Sequence, residues 1–200
     1  THLNSSEKEG RQMPETVVAA QMYTLREFTK TPADIARSLK RVAKIGYRAV
    51  QLSGLGPIEP ADVKKICDDE GLTICATHIG YDRMRDETSA VIDEHNILDC
   101  KYPAIGGLPK EYREDGAAGF IKFAKEASEV ARRLSDAGLN FGYHNHSFEL
   151  EKFDDRTALD ILLEESDPEV FQFEIDLYWI QHGGADPAAW VRKVRGRGDL

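Results

Sequence analysis

The chain has 200 residues, of which 41% are apolar and 30% charged, and this composition suits one globular domain with a sizeable core. A formal net charge of −9 gives it no basic footprint for nucleic acid or anionic lipid. No apolar run approaches the roughly 18 residues that a membrane-spanning helix needs. We therefore predict no nucleic-acid partner and no membrane partner.

The first residues differ in character from the rest of the chain. Residues 1–15 are polar and aperiodic, so we predict a tail there, followed by one domain over residues 16–200. Because the chain begins at Thr1, the tail is interpreted as tag residues, a linker, or the mature start left after signal removal. We expect a cytoplasmic protein, with export after signal removal as the alternative.

Short apolar runs alternate with segments of helical periodicity after the tail. The predicted strands lie over residues 16–24, 48–52, 72–78, 102–105, 139–146 and 170–175, and Pro103 makes the fourth the weakest. The predicted helices lie over residues 31–46, 60–71, around 91–98, 119–137, around 157–165 and from 186 onward. This alternation is typical of βαβ units and a parallel sheet. The three cysteines, Cys67, Cys75 and Cys100, lack CxxC spacing and indicate reduced thiols rather than a disulfide framework.

Two α/β architectures fit that alternation. A doubly wound open sheet usually carries a glycine-rich phosphate turn after its first strand, and residues 22–26 (Met-Tyr-Thr-Leu-Arg) do not provide one. A (β/α)8 TIM barrel places polar groups at many strand ends, as this sequence does, so we predict the barrel. About six βα units fit these residues, whereas a full barrel takes about 250 residues. We expect two further C-terminal units in a longer polypeptide; an open barrel with exposed sheet edges is the alternative.

The sixth predicted strand ends in a carboxylate. By alternation Gln172, Glu174 and Asp176 point to one side, and the apolar residues between them point to the other. Carboxylates that face a barrel interior are costly unless they are paired or bind a cation. We predict that Asp176 binds a metal or the substrate, with a salt bridge to a lysine or arginine as the alternative.

The fifth predicted strand ends in imidazoles. His144 and His146 share one face, and two imidazoles close in space suit a divalent metal. Glu149 follows the strand and could turn back over the barrel mouth as a ligand or a general base. We predict His146 and Glu149 as metal ligands, Glu149 as the catalytic residue and His144 as a substrate-binding residue; hydrogen-bonded core histidines are the alternative.

Further polar and aromatic residues at strand ends are candidates for substrate binding. His78 ends the third strand and could bind substrate hydroxyls, and Tyr23 and Gln51 lie near the ends of the first two strands. Trp179 could supply a face for a sugar ring, although packing under a loop explains it equally well. His182 lies in a turn before a predicted helix whose N-terminus could hold an anion.

These segments together resemble a known family. Residues 143–149 (Tyr-His-Asn-His-Ser-Phe-Glu) and 176–187 (Asp-Leu-Tyr-Trp-Ile-Gln-His-Gly-Gly-Ala-Asp-Pro), with residues 21–26 and 77–80, resemble the xylose isomerase-like TIM barrels of the sugar phosphate isomerase/epimerase family. The resemblance covers about residues 16–200. It implies a divalent metal ion (Mn²⁺, Mg²⁺, Co²⁺ or Zn²⁺) held by acidic residues and a histidine at the later strand ends.

The resemblance assigns ligands only in part. Asp176 matches the family's aspartate ligand at the end of strand six. The ketose epimerases of the superfamily carry a glutamate at the end of strand five, where this chain has His144 and the nearest carboxylate is Glu149. The family's further histidine and glutamate ligands come from strands seven and eight, beyond this sequence.

The implied reaction is isomerisation or epimerisation of a sugar or sugar phosphate, with a proton moved next to a carbonyl through a metal-bound enediolate. Within this sequence Glu149 is the candidate for moving that proton. The alternative is a lyase such as an inosose dehydratase; less favoured are a non-catalytic sugar-binding barrel and an abasic-site endonuclease, the latter because the chain is acidic. The expected partner is a small carbohydrate, and a homo-oligomer is left open.

Overall fold

Six parallel strands follow one another in chain order across a single sheet. A computed structural model describes residues 17–198, so the predicted tail over residues 1–15 lies outside the described residues. The strands are β1 Ala19–Gln21, β2 Ala49–Leu52, β3 Thr73–His78, β4 Pro103–Ile105, β5 Phe141–His144 and β6 Phe171–Glu174. Each strand pairs in parallel with the next, which is the order of a (β/α)8 barrel with six units.

The sheet is curved, and one cross-barrel contact demonstrates it. Gln51 of β2 donates hydrogen bonds to Glu174 of β6, although β3, β4 and β5 lie between those strands. In a flat sheet, strands four positions apart would be separated by about 19 Å, which these two side chains could not span. The predicted partial (β/α)8 barrel is therefore confirmed.

Helices connect the strands. They are α1 Pro32–Ile45, α2 Pro60–Asp69, α3 Tyr81–Asp86, α4 Thr88–Leu98, α5 Lys110–Glu114, α6 Gly116–Asp136, α7 Ala158–Glu165, α8 Leu177–His182 and α9 Pro187–Lys193. Two 3-10 helices, Met22–Phe28 and Phe148–Leu150, and a small antiparallel pair, Lys152–Phe153 with Arg156–Thr157, complete the elements. None of the helices within residues 17–198 has the length and apolarity needed to cross a bilayer.

The helix starts follow the local sequence. Thr31 accepts a hydrogen bond from the Asp34 backbone N–H at 3.2 Å, and Pro32 occupies the first position of α1. Thr157 and Asp160 form a capping box at α7. Asp176 and Asp186 cap α8 and α9 in the same manner, with side-chain oxygens that accept backbone N–H groups.

Two strands end at least two residues earlier than predicted, and both differences shape the site. The sequence predicts the first strand over residues 16–24, but β1 ends at Gln21 because the Gln21 side chain caps the 3-10 helix that follows it. The fifth strand is predicted over residues 139–146, but β5 ends at His144. His146 therefore lies in a loop rather than on the face of a strand.

The main core lies between the sheet and helices α6 and α7. The apolar stripe of α6, from Phe120 and Phe123 to Leu134, is buried against the aromatic side chains of β5 and β6. Phe123 makes edge-to-face contacts with Tyr143 and Phe171. The outward faces of β5 and β6 are thus apolar, which leaves the opposite faces for polar side chains.

Gly119 is required by close packing between α5 and α6. A Cβ atom on Gly119 would lie 1.8 Å from the carbonyl oxygen of Tyr112, which belongs to the backbone of α5 and cannot move cheaply. Alanine normally stabilises a helix interior relative to glycine by about 0.5–1 kcal/mol. At Gly119 the steric term outweighs this preference.

We expect Gly119→Ala to lower the free energy of unfolding by about 1–3 kcal/mol, the usual range for overpacking, as measured by urea denaturation. Gly80→Ala is the matched control, because φ of Gly80 is −63° and an added Cβ would meet no atom within 4 Å. A Gly119→Ala protein as stable as wild type would show that the two helices separate easily.

Candidate active site

A cavity of about 610 Å³ opens at the carboxyl ends of the six strands. Each strand contributes its last residue or the residues that follow it. The lining comprises Gln21, Tyr23, Ser53, Gly54, His78, Ile79, Gly80, Gly106, Gly107, Leu108, His144, His146, Asp176 and Trp179. This is the position at which α/β barrels carry their catalytic groups.

Glu174, the last residue of β6, is the polar centre of the barrel interior. Its Oε2 lies 3.1 Å from Nε2 of His78, and its Oε1 lies 3.6 Å from Nδ1 of His144. The Gln51 amide donates to both carboxylate oxygens, at 3.0 and 2.9 Å, and in turn accepts a hydrogen bond from the Gln21 amide at 2.6 Å. Polar side chains from β2, β3 and β5 therefore meet at the carboxylate of β6, and β1 is linked to it through Gln51.

The surroundings of Glu174 keep it ionised. Burial alone would raise the pKa of its carboxyl, but the imidazoles of His144 and His78 and the Gln51 amide outweigh burial and lower the pKa to about 2. A buried carboxylate held in its anionic form attracts a cation. On the other side of His78, Nδ1 pairs with the Ser53 hydroxyl at 3.1 Å, which fixes the ring.

The donor set around Glu174 fits a divalent metal. One ligand atom each from His78, His144 and Glu174 lies within 4.8 Å of the others, and the three side chains are mostly buried. Nδ1 of His144 is buried and has no hydrogen-bond partner among residues 17–198. An unpartnered imidazole nitrogen beside an anionic carboxylate is suited to a metal, because such a site supplies nitrogen and oxygen ligands at once.

Asp176 lies on the same rim as the fifth strand, as the sequence predicts. Its Oδ2 is 3.8 Å from Nε2 of His144, while its Oδ1 accepts the Trp179 backbone N–H as the cap of α8. One carboxylate oxygen is therefore occupied by the helix and the other faces His144. The ends of strands five and six therefore converge at this rim.

His146 lines the cavity beside the Glu174 cluster, with its ring centroid 5.1 Å from that of His144. Its ring packs at 5.2 Å from Trp179 and stacks on Phe148, and its Nδ1 is buried without a hydrogen-bond partner in the described part of the chain. Burial and then the neighbouring His144 lower the pKa of His146, so the neutral ring is favoured. His146 and Trp179 both contribute to the cavity wall.

Glu149 does not fit the metal and catalytic roles predicted for it. The 3-10 helix Phe148–Leu150 turns its side chain away from the cavity into the core, where Glu149 is fully buried. Its oxygens accept the Tyr143 hydroxyl at 2.7 Å and the His146 backbone N–H at 2.9 Å. We correct the prediction accordingly: Glu149 supports the loop that carries His146.

The other predicted substrate residues divide into two groups. Tyr23 lines the cavity, is 52% exposed, and carries the Arg26 guanidinium 4.5 Å from its ring centroid. Gln51 is buried beneath the cavity and is occupied by Glu174 and Gln21. His182 is exposed and stacks on Tyr178 outside the cavity lining, so its predicted role is not supported by its position.

Glu174 belongs to the candidate site, but the sequence alone does not single it out as a ligand. Alternation already placed it on the inward face together with Asp176, so the signal was present. The missing information was its partners, because Gln51 and His78 are 123 and 96 residues away along the chain. Sequence spacing on one strand cannot reveal such contacts.

Comparisons with known proteins concern the fold of the chain. The sequence matches no protein-family model and no curated protein. A solved sugar phosphate isomerase/epimerase from Parabacteroides distasonis is 25% identical with a TM-score of 0.75, and the match covers 99% of this chain and 78% of that one. The chain therefore shares the TIM-barrel fold of this protein, in keeping with its resemblance to the xylose isomerase-like barrels.

Two other solved structures share the fold of this chain. A second sugar phosphate isomerase/epimerase from Parabacteroides distasonis is 23% identical, with a TM-score of 0.77 and coverage of 92% of this chain and 77% of that one. A D-psicose 3-epimerase from Clostridium cellulolyticum, solved with D-tagatose, is 12% identical with a TM-score of 0.67. The match covers 90% of this chain and 70% of that one. At these identities the likeness concerns the fold.

The buried Glu149 gives the barrel a pH-dependent stability. Burial raises the pKa of Glu149 to about 7, against the hydrogen bonds from Tyr143 and backbone N–H groups that lower it. Since the unfolded value is about 4.5, the folded state holds this proton more tightly. The resulting stabilisation is complete below about pH 4.5 and is lost as the pH rises through about 7.

Glu149→Gln removes this titration and can keep both hydrogen bonds if its amide is oriented with the oxygen toward the His146 N–H. The free energy of unfolding is measured by urea denaturation for both proteins at about pH 5 and about pH 8.5. Because only wild type loses the stabilisation, the difference between variant and wild type should shift in favour of the variant by about 2 kcal/mol between these pH values. Glu151→Gln, two residues away on the surface, is the control and is expected to show no such change. A pH-independent difference between Glu149→Gln and wild type would contradict the assignment.

Proposed function

We propose that this protein is a divalent-metal-dependent isomerase or epimerase that acts on a sugar or sugar phosphate. The observation that carries the proposal is the meeting of Glu174 with His78 and His144, beside Asp176, at the floor and rim of a cavity of about 610 Å³. A cavity of this volume accommodates a small carbohydrate. The sugar isomerases and epimerases of the same fold support this choice of reaction.

We assign the cation to His78, His144 and Glu174, with Asp176 Oδ2 as the fourth group. Imidazole nitrogens and carboxylate oxygens together suit Mn²⁺, Co²⁺ or Zn²⁺, and Mg²⁺ binds more weakly to such a set. When bound, the ion supplies Lewis-acid polarisation of neighbouring substrate oxygens. The low pKa of Glu174 keeps its carboxylate anionic, and it also makes Glu174 a poor proton acceptor, so we assign Glu174 to the cation and not to proton transfer.

We assign proton transfer to His146. Its neutral ring lines the cavity beside the Glu174 cluster, and Glu174 does not occupy either nitrogen. A ketose epimerisation needs a second group that returns a proton to the opposite face of the carbon. In an aldose–ketose isomerisation, a single base removes the proton on the carbon next to the carbonyl and returns it on the same face to the former carbonyl carbon, while the hydroxyl proton passes to the other oxygen. An enediolate is the species between those two steps, and His146 would carry the proton between them.

The aromatic side chains of the cavity would bind and orient the sugar. Trp179, held beside His146, offers a flat apolar face, and Tyr23 offers a second one at the rim. Sugar rings pack their C–H faces against aromatic rings while their hydroxyls remain free for polar groups. This arrangement would hold the reactive carbon near His146 and exclude part of the water around it.

Deuterium exchange tests the reaction directly. The protein is incubated with Mn²⁺ and D-psicose, D-fructose, D-tagatose or their phosphates in D₂O, and the products are followed by NMR. Deuterium at the carbons next to the carbonyl, with a new isomer or epimer, is the expected result. Loss of water from the sugar would identify a lyase instead, and binding without exchange would identify a sugar-binding barrel.

Two variants separate metal binding from proton transfer. Glu174→Gln should lower the Mn²⁺ affinity at least about tenfold in titration calorimetry, because it removes the anionic ligand. His146→Gln should retain Mn²⁺ affinity but lower the exchange rate by about 10²–10⁴-fold, the usual contribution of a general base. If His146→Gln exchanges as fast as wild type, the proton carrier is another group.

A further inference from the structure

Asn145 lies between the two histidines of the site and is fully buried. It is the first residue after β5, and it does not line the cavity. Its side chain therefore cannot touch a substrate held there. A buried amide needs hydrogen-bond partners, and those partners show what the residue does.

The partners of Asn145 are the backbone groups of one residue on the neighbouring strand end. Its Oδ1 accepts the N–H of Asp176 at 2.8 Å, and its Nδ2 donates to the carbonyl of Asp176 at 3.4 Å. The same Nδ2 also lies 3.4 Å from the carbonyl of His146. One side chain thus connects the loop after β5 to the residue that carries the rim carboxylate.

This connection begins where the sheet ends. The backbone pairing of β5 with β6 runs from Phe141 with Phe171 to His144 with Glu174 and stops there. Asn145 supplies side-chain hydrogen bonds at the next position, in place of the backbone pairing. Without them, the segments that carry His146 and Asp176 would have no polar link at this position.

The connection determines the geometry of the candidate metal site. The backbone of Asp176 is held by Asn145, and its Oδ1 is held by the N-terminus of α8. With both fixed, Oδ2 is left 3.8 Å from Nε2 of His144. The spacing between these two groups therefore depends on Asn145.

We propose that Asn145 is a positioning residue of the site: its amide extends the β5–β6 pairing and sets the separation of His144 and Asp176. This inference rests on the proposed metal site for its functional consequence, but its structural part stands on the hydrogen bonds alone. A purely stabilising residue would affect folding without affecting metal binding.

Metal affinity and stability together distinguish these roles. Asn145→Ala should weaken Mn²⁺ binding at least about tenfold, the scale seen when residues that orient metal ligands are removed. Ser128→Ala is the matched control. The Ser128 hydroxyl is also buried and joins two segments, donating to Ala124 and accepting from the Asp167 N–H, but it lies on α6 away from the site. It should lower stability and leave Mn²⁺ affinity unchanged.

The outcome that overturns the proposal is an Asn145→Ala protein that is folded, less stable than wild type and equal to it in Mn²⁺ affinity. Should Asn145→Ala fail to fold, Asn145→Ser replaces it, because serine keeps a polar group but is too short to reach Asp176. The same loss of Mn²⁺ affinity is expected for that variant.

A second measurement decides the structural part without a metal. Crystal structures of the two metal-free proteins are compared. The distance from His144 Nε2 to Asp176 Oδ2 should be longer in Asn145→Ala than in wild type by about 1 Å or more, a displacement large enough to disrupt catalytic geometry. An unchanged separation overturns the proposal. If wild type itself binds no Mn²⁺, the proposed metal site fails, and this comparison still decides the role of Asn145.

Discussion

The charge on Glu174 constrains the whole barrel interior. An ionised carboxylate removed from water is stable only when nearby donors replace its hydration. Here those donors are Gln51 from β2 and His78 from β3, with His144 of β5 close by, and they reach one another only because the sheet curves. The curvature of the sheet and the polarity of its concave side therefore depend on each other. Loss of the carboxylate would leave several buried donors without an acceptor, each at a cost of about 1–3 kcal/mol.

The two faces of the later strands have different roles: one packs in the core and the other forms the candidate site. On β5 and β6 the outward side chains Tyr143, Phe171 and Phe173 pack in the aromatic core under α6, while the inward ones, His144 and Glu174, build the site. Packing of the aromatic side holds the strands at fixed positions, so the positions of the polar side chains do not depend on their contacts with one another alone. Rigid strands with functional groups at their ends are how a catalytic arrangement becomes preorganised.

The sequence predicts the architecture and most of the rim because both follow local rules. Alternation places Asp176 and His144 at strand ends, and the parallel order of the strands brings these ends together. The prediction for Glu149 could not be made correctly, because a single 3-10 turn after residue 147 rotates that side chain from the cavity into the core. Nothing in the spacing of residues 144–149 distinguishes a strand that continues from one that ends at His144. Glu174 was on the correct face, but its importance lies in partners from distant parts of the chain.

The two buried glutamates show why burial alone does not identify a functional carboxylate. Glu149 is fully buried with two donors, and its pKa rises to about 7, so it is largely protonated at mildly acidic pH and suits a structural position. Glu174 is also removed from most water, yet imidazoles and an amide lower its pKa to about 2. The pKa values of the two glutamates differ because Glu174 meets donors from other strands across the barrel. Glu149 lies in a loop and faces the core, so it does not meet those donors. In a barrel of this kind, a carboxylate on the concave side can therefore remain anionic and attract a cation, while one on the helix side becomes part of the core.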